Sequence, residues 1–212
     1  MVLDAMRISW LGHDSFRLEG ARRVVYIDPY KLSRPQLDAD LILVTHHHSD
    51  HLDLQAIAQL SKEATVVAGP HRVARQWPGC IEVKAGEEKE LAGLKVRVIP
   101  AYNITKFRSR GHPFHPKGVG VGYVVEIDGE TVYHTGDSDL IPEMDGLQPD
   151  VALLPVSGRW VMTAEEAADA VAAIRPKRAI PMHYGAIVGS VEDAQRFAEL
   201  AHGRVEILSK AT

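Results

Sequence analysis

Apolar and polar positions alternate with a period of two over three short runs in the first third of the chain: Arg7 to Leu11, Ser15 to Glu19 and Val24 to Asp28. A period of two sends successive side chains to opposite faces of a strand. Gly12 and the stretch Gly20 to Arg23 punctuate the runs, so the pattern predicts an antiparallel meander. Asp40 to Thr45 is instead a nearly continuous apolar run, read as a buried strand. Leu54, Ile57, Ala58 and Leu60 follow with helical spacing, and Thr65 to Ala68 supplies another strand, which together predict a βαβ-like unit. His71 to Trp77 reads as a short helix, Ile81 to Leu91 as strand and turn, and Leu94 to Pro100 alternates like a half-buried strand.

The second half begins with "ITKFRSRGHPFHPKGVG", Ile104 to Gly120, which has no sustained periodicity and is expected to be a long loop, a kind of segment that is often functional. Gly122 to Ile127 and Glu130 to Thr135 flank Asp128-Gly129, a two-residue hairpin signal. Val151 to Val156 and Ala179 to Met182 are two further apolar strands, with Pro155 and Pro181 hinting at edges or bulges. Between them Thr163 to Glu166 forms a capping box that opens an alanine-rich helix ending before Pro176. Ser190 opens a second helix, Gly203 closes it, and Val205 to Leu208 is expected as a last strand. Each half runs strands first and helices after, and no domain-separating linker interrupts them. The expectation is one α/β domain over residues 1–212, a four-layer α/β/β/α sandwich of two mixed sheets with helices outside.

Composition narrows the class. The 212 residues are 45% hydrophobic and 25% charged, which suits a globular chain rather than a disordered or fibrous one. A net charge of -4 and a pI near 6.2 give no bulk attraction for nucleic acid or an anionic membrane. The single cysteine, Cys80, can form neither an internal disulfide nor a thiolate zinc site. Met1 to Arg7 lacks the basic and apolar regions of a secretory leader, and no apolar run is long enough to span a bilayer, so a soluble, cytoplasmic protein is expected.

The chemistry concentrates in "THHHSDH", Thr45 to His51, directly after the apolar run Leu41 to Val44. On an extended segment His46 and His48 point the same way and can meet one metal ion, with His47 turned aside. Once the chain turns, Asp50 and His51 can face a second ion. Imidazole and carboxylate suit zinc, manganese or iron better than calcium or magnesium. His134-Thr-Gly-Asp137-Ser-Asp139 places an acid after a strand, and Pro181-Met-His183-Tyr184-Gly185 does the same with a histidine.

His-x-His-x-Asp-His, a later Gly-Asp-Ser-Asp and a strand-end histidine resemble the metallo-β-lactamase superfamily of metal-dependent hydrolases, over essentially the whole chain. "WLGHDSF", "YIDPY", "YHTGDSDLIPEM", "DVALLPVSG" and "PKRAIPMHYG" look most like its compact branch of L-ascorbate-6-phosphate lactonase-like proteins. The resemblance implies two divalent ions, zinc first and manganese or iron as alternatives. It assigns His46, His48 and a third histidine to the first ion, and Asp50, His51 and His183 to the second, with Asp137 bridging. His115 is chosen as the third histidine because it lies between the opening motif and Asp137, with His112 and Asn103 as the other candidates. Asp50 would also be catalytic, orienting a metal-activated hydroxide and passing its proton on.

Lesser signals complete the expectations. His13 and Asp28 are each read as a group that can hydrogen-bond a ligand histidine and fix its tautomer, with a turn residue before Pro29 as the equal alternative for Asp28. Lys106, Arg108, Arg110 and Lys117 share the loop of His115, which favours a small anionic substrate of ester, lactone or phosphodiester type. Tyr102, Trp160 and Tyr184 adjoin the expected site segments, though such aromatics are more often core. The competing readings are a mononuclear iron oxidoreductase, a nuclease and a metal-binding protein without catalysis. The short, acidic chain disfavours nucleic acid as a partner, and a homo-oligomer is compatible with the sequence.

Overall fold

The alternation in the first third is that of a sheet covered on both faces. In the computed structural model, which describes residues 6–211, β1 (Arg7–Gly12), β2 (Ser15–Glu19) and β3 (Val24–Ile27) form the antiparallel meander, and β4 (Ala39–Leu43) adds parallel to β3. Phe16, Leu18, Val25, Ile27, Leu41 and Leu43 join the larger core. Their strand neighbours Tyr26, Ile42 and Val44 belong to a second cluster with Ile57 and Leu60 of α1 (Leu54–Leu60). Each such apolar side chain stabilises the fold by about 1.5–3 kcal/mol on burial. Asp53 caps α1, its Oδ1 accepting from the Gln55 and Ala56 amides at 3.0 Å. β5 (Ser61–Gly69) then returns parallel to β4, and after α2 (His71–Ala74) the short β6 (Ile81–Glu82) ends the sheet.

The second sheet contains β7 (Glu88–Leu91) and β8 (Leu94–Ala101), followed in the chain by a separate hairpin of β9 (Phe107–Ser109) and β10 (His112–Pro113). β11 (Gly120–Ile127) pairs with β8 and turns through Asp128-Gly129, both at positive φ, into β12 (Glu130–His134). β13 (Val151–Pro155), α3 (Ala164–Ile174), β14 (Arg178–Met182) and α4 (Val191–Leu200) follow. β12, β13 and β14 pair parallel, and the others antiparallel, so this sheet is mixed as well. Thr163 and Ser190 each close a capping box at the start of α3 and α4, which share the larger core through Ala167, Val171, Ile174, Ala194 and Phe197. The layers are therefore helix, sheet, sheet, helix, as expected. At one end the sheets are tied directly: the Tyr123 hydroxyl donates to the Val44 carbonyl at 2.8 Å, and the Val121 amide to the Thr45 carbonyl at 3.0 Å.

Three expectations change. Residues 104–120 are not structureless, because the β9–β10 hairpin occupies their middle. The strand expected before Ala68 starts earlier, at Ser61. Val205 to Leu208 forms no strand: Val205 makes one bridge to Ala179. Two residues further along that outer edge of β14 stands Pro181, which has no N–H to continue the ladder. Met1 to Ala5, part of the segment read for a leader, lie outside the described residues. Among the described residues no helix is long and apolar enough to cross a membrane.

Candidate metal centre

Each expected site residue follows a strand or a tight turn, and strand ends are rigid places from which to aim side chains. His46, His48, Asp50 and His51 follow β4, Asp137 follows β12, and His183 follows β14. His115 follows the hairpin. His46 Nε2 and His48 Nδ1 lie 2.9 Å apart, and His115 Nε2 is 3.3 Å from His48 Nδ1 and 3.2 Å from Asp137 Oδ2. His47 is not in this group; its Nε2 lies 3.3 Å from Arg72 Nη1. His112 is exposed on β10. Asn103 supports His115 instead of replacing it: its Oδ1 accepts from the His115 amide at 2.8 Å and from Nδ1 at 3.0 Å, which leaves Nε2 as the free donor. The Asn103 amide is fixed in turn by Asp139 Oδ1 at 3.0 Å and the Trp160 carbonyl at 2.8 Å.

A second group lies deeper. His51 Nε2 is 3.4 Å from Asp137 Oδ1, and His183 Nε2 is 3.5 Å from Asp137 Oδ2. Asp50 Oδ2 sits at its edge, 4.0 Å from His51 Nε2 and 3.2 Å from His13 Nε2. Asp14, which the sequence reading passed over, faces the same group, its Oδ2 3.5 Å from His51 Nε2 and 3.8 Å from His183 Nε2.

The supporting shell is built from buried polar contacts. Asp28 Oδ2 accepts from His51 Nδ1 at 2.7 Å and from the Thr45 hydroxyl at 2.6 Å, while Oδ1 accepts from the Thr45 amide at 2.7 Å. His183 Nδ1 bonds the Ser157 hydroxyl at 2.9 Å. His134 is no ligand: its Nδ1 accepts from the Gly136 amide at 3.0 Å and its Nε2 donates to the Asp14 carbonyl at 2.9 Å. His13, Asp28 and His183 all have left-handed backbones, with φ of 53°, 46° and 61°. Such conformations cost non-glycine residues about 1–3 kcal/mol each, and strain of this kind concentrates at functional sites. Of the aromatics, Tyr184 stacks on Trp10 at 4.8 Å and belongs to the core.

The charges split the two groups. Burial holds the His46 imidazole well below its usual range, and burial with the neighbouring His115 lowers His48 to about 4. Burial opposes protonation of His51 and His183 too, but Asp137 with Asp28 raises His51, and Asp137 with Asp14 raises His183 to about 9. Burial raises Asp50, yet the His13 hydrogen bond and the His51 charge bring it down to about 2.

The donor set fits metal ions. His51 Nε2, His183 Nε2, Asp137 Oδ1 and both Asp14 oxygens are buried without a hydrogen-bond partner. Leaving such atoms unpaired costs about 1–3 kcal/mol each. A cation between them would satisfy several at once, and nitrogen with carboxylate oxygen is a donor mixture for transition metals. The expected ligand atoms form overlapping sets, His46 with His48 and His115, and His46 with His51 and Asp137.

Residues 7–183 match the family model described as a β-lactamase superfamily domain. A UPF0173 metal-dependent hydrolase of Methanopyrus kandleri is 36% identical over 208 residues, covering 91% of this chain and 90% of that one. The chain belongs to the metallo-β-lactamase superfamily of metal-dependent hydrolases. Its fold is shared with the crystal structure of a candidate metal-dependent hydrolase from Parabacteroides distasonis, at a TM-score of 0.85 and 30% identity over 98% of this chain and 94% of that one. A metallo hydrolase from Ignicoccus hospitalis gives a TM-score of 0.76 and 27% identity over 98% and 96% of the two chains.

In this hydrolase a cavity of about 510 Å³ opens onto the first group, lined by His46, His48, His115 and Asp137 and also by Arg72, Arg108, His112 and Phe114. The loop cations read from the sequence divide. Lys106 is bound to Glu166, Lys117 pairs with Glu143 at 2.7 Å, and Arg110 is exposed near the hairpin tip. Arg108 alone of the four lines the cavity, its guanidinium 5.4 Å over the Phe114 ring. Arg72, contributed by α2, is the cation that sequence reasoning missed.

Proposed function

We propose that this hydrolase is dinuclear and cleaves an ester, lactone or phosphodiester bond in a small anionic molecule. The observation that carries the reading is the position of Asp137, whose Oδ2 lies 3.2 Å from His115 Nε2 and whose Oδ1 lies 3.4 Å from His51 Nε2, so that one carboxylate belongs to both donor groups. In this reading His46, His48 and His115 hold one ion, Asp50, His51 and His183 hold the other, and Asp137 is shared. The histidine-rich first set favours zinc, with manganese or iron as alternatives. Bound ions supply an acidified water and positive charge at the scissile oxygen.

The rest falls to the chain's own side chains. Asp50, ionised at neutral pH, accepts a hydrogen bond from the attacking water and takes its proton, while His13 steadies the carboxylate at 3.2 Å. Arg72 and Arg108 pair with a phosphate or carboxylate of the substrate. The likeness of "WLGHDSF" and "YHTGDSDLIPEM" to the lactonase-like branch supports a lactone or ester. Both sheets supply donors, so residues 1–212 act as one unit. Cys80, without a disulfide partner, fits a cytoplasmic setting.

The test is elemental analysis of untagged protein, wild type beside His115→Ala, followed by a hydrolysis screen of phosphorylated lactones, esters and a phosphodiester. About two equivalents of zinc or manganese, dropping in the variant, with turnover of one of these classes, is the expected result. One equivalent of iron with no hydrolysis would replace this reading by an oxidative one.

A further inference from the structure

We infer that Asp14 is a metal ligand, an additional carboxylate on the position faced by His51 and His183. This rests on the dinuclear reading and goes beyond the ligand set that the family resemblance implies, which contains no residue of the β1–β2 turn.

The turn itself is the first observation. Gly12 pairs with Ser15, so His13 and Asp14 are the two residues at the tip of a hairpin. Aspartate at such a tip normally serves the turn or faces water. Here both residues are buried, Asp14 at 0% exposure. Both carbonyls of the turn are engaged: that of His13 accepts from Trp10 Nε1 at 2.8 Å and from the His183 amide at 3.2 Å, and that of Asp14 accepts from His134 Nε2. Three residues, Trp10, His134 and His183, thus clamp the tip inside the protein. The side chain receives nothing comparable, since neither Asp14 oxygen has a hydrogen-bond partner.

What Asp14 does face is decisive. Its Oδ2 lies 3.5 Å from His51 Nε2 and 3.8 Å from His183 Nε2. The Nδ1 atoms of these rings are committed elsewhere, to Asp28 at 2.7 Å and Ser157 at 2.9 Å. With Nδ1 committed in both rings, Nε2 is the atom that each turns toward Asp14 and Asp137, and in the metal-free chain the carboxylates hold a proton there. A metal ion takes the place of those protons, so that two ring nitrogens and a carboxylate oxygen converge on one cation. His13, Asp14, His51 and His183 accordingly offer one donor atom each, all mutually within 4.8 Å.

The assignment makes the two positions chemically unequal. The outer one has three imidazoles and shares Asp137, whereas the inner one has His51 and His183 with three carboxylates, Asp14, Asp50 and the shared Asp137. A more oxygen-rich set shifts preference from zinc toward manganese. His13 Nε2 also lies between the two acids, 3.4 Å from Asp14 Oδ2 and 3.2 Å from Asp50 Oδ2, and so couples the inner ligand to the residue that handles the proton.

The experiment titrates metal-free wild type, Asp14→Asn and Asp14→Ser with Mn2+ and with Zn2+ by calorimetry, and records thermal melts with and without each ion. The expected result is two binding steps in the wild type. In both variants one step keeps its affinity, while the other weakens at least about tenfold and more for Mn2+. Metal-free melting temperatures should fall somewhat below pH 9, where Asp14 faces protonated His183, so the increment from added metal is read against each variant's own metal-free melt. Two unchanged steps in the variants would overturn the inference and leave the dinuclear reading standing, whereas fewer than two steps in the wild type would overturn both. Should neither variant fold, a crystal structure of metal-loaded wild type decides: an Asp14 oxygen about 2.0–2.2 Å from an ion sustains the assignment, and one beyond about 3 Å ends it.

Discussion

Asp28 holds His51 by its Nδ1 proton at 2.7 Å and thereby turns Nε2 toward Asp137. The contact is buried on both sides and is shared with the hydroxyl and amide of Thr45, so it fixes ring tautomer and ring direction together. Asp28→Asn keeps the shape and removes the charge. Metal affinity, measured by competition with a chromophoric chelator, is expected to fall by about 10–100-fold. Unchanged affinity would reduce Asp28 to a turn residue before Pro29.

The metal-free protein should lose stability as pH rises from 6.5 to about 9. Although burial opposes it, Asp137 and Asp14 raise His183 from its ordinary 6.5 to about 9, and Asp137 and Asp28 move His51 in the same direction. Within that window the folded chain holds protons that the unfolded chain has released, so stability is fully present below 6.5 and declines toward 9. His46 and His48, shifted downward, act the opposite way near and below 6.5 and add no slope in the upper part of the window, where they are neutral in both states. Metal binding requires neutral imidazole and runs the opposite way. Melting temperatures in excess chelator should therefore fall across the window while the increment from added metal grows. A metal-free melting temperature that climbs with pH would contradict this account.

Asn103 should act on the metal centre through His115. In Asn103→Ala the His115 Nδ1 proton and amide lose their acceptor, and the loop loses its bond to the Trp160 carbonyl. The expected outcome is a weakening of about tenfold or more in one binding step, the other being retained. Asn103→Asp keeps the acceptor but sets a second carboxylate against Asp139 and the Trp160 carbonyl, so it should not restore the lost affinity.

What could be read from residues alone follows the range of the forces involved. His46, His48 and His51 were legible because a strand and its first turn fix their relative directions locally. The apolar run before them marked the strand, and the capping boxes at Thr163 and Ser190 marked both later helices. Asp14 was not legible, because a turn aspartate is usually solvated and only the packing of Trp10, His134 and His183 around it takes it inside. Nor could the sequence separate free loop cations from committed ones. Lys106 and Lys117 are neutralised by Glu166 and Glu143, which come from segments far along the chain. Arg72 looked like any helix surface residue until the fold set it beside His47. Val205 to Leu208 failed as a strand for a similar reason, since its pairing partner's edge carries Pro181.

Gly136 is expected to resist substitution. It adopts φ +62°, and an added Cβ would lie 2.8 Å from the Val121 carbonyl oxygen and 3.1 Å from Thr45 Cβ. Gly136→Ala should cost about 1–3 kcal/mol of stability by denaturant melting and should also weaken metal binding, because the next residue is Asp137. A fully stable variant that binds metal normally would show that the backbone there can yield.

Arg72 and Arg108 should act on substrate and not on the metal centre. For an anionic substrate found in the screen, Arg72→Ala and Arg108→Ala are expected to raise KM by about five- to fiftyfold, the range for losing a charge-assisted bond, while kcat and metal content hold. A neutral analogue should be indifferent to both changes. Equal effects on charged and neutral substrates would remove the anion preference from the reading.

The β9–β10 hairpin pairs with neither of the two large sheets, yet with Arg108 and His112 it contributes to the cavity over the metal centre. The donors below, His115 apart, follow strands of the two packed sheets, and His115 is held by Asn103; the flap itself joins neither sheet. A new hairpin spliced between Lys106 and His115 could retarget the enzyme without retooling the machinery beneath it. The architecture keeps the engine and the lock as separate parts, so that one can be exchanged while the other runs.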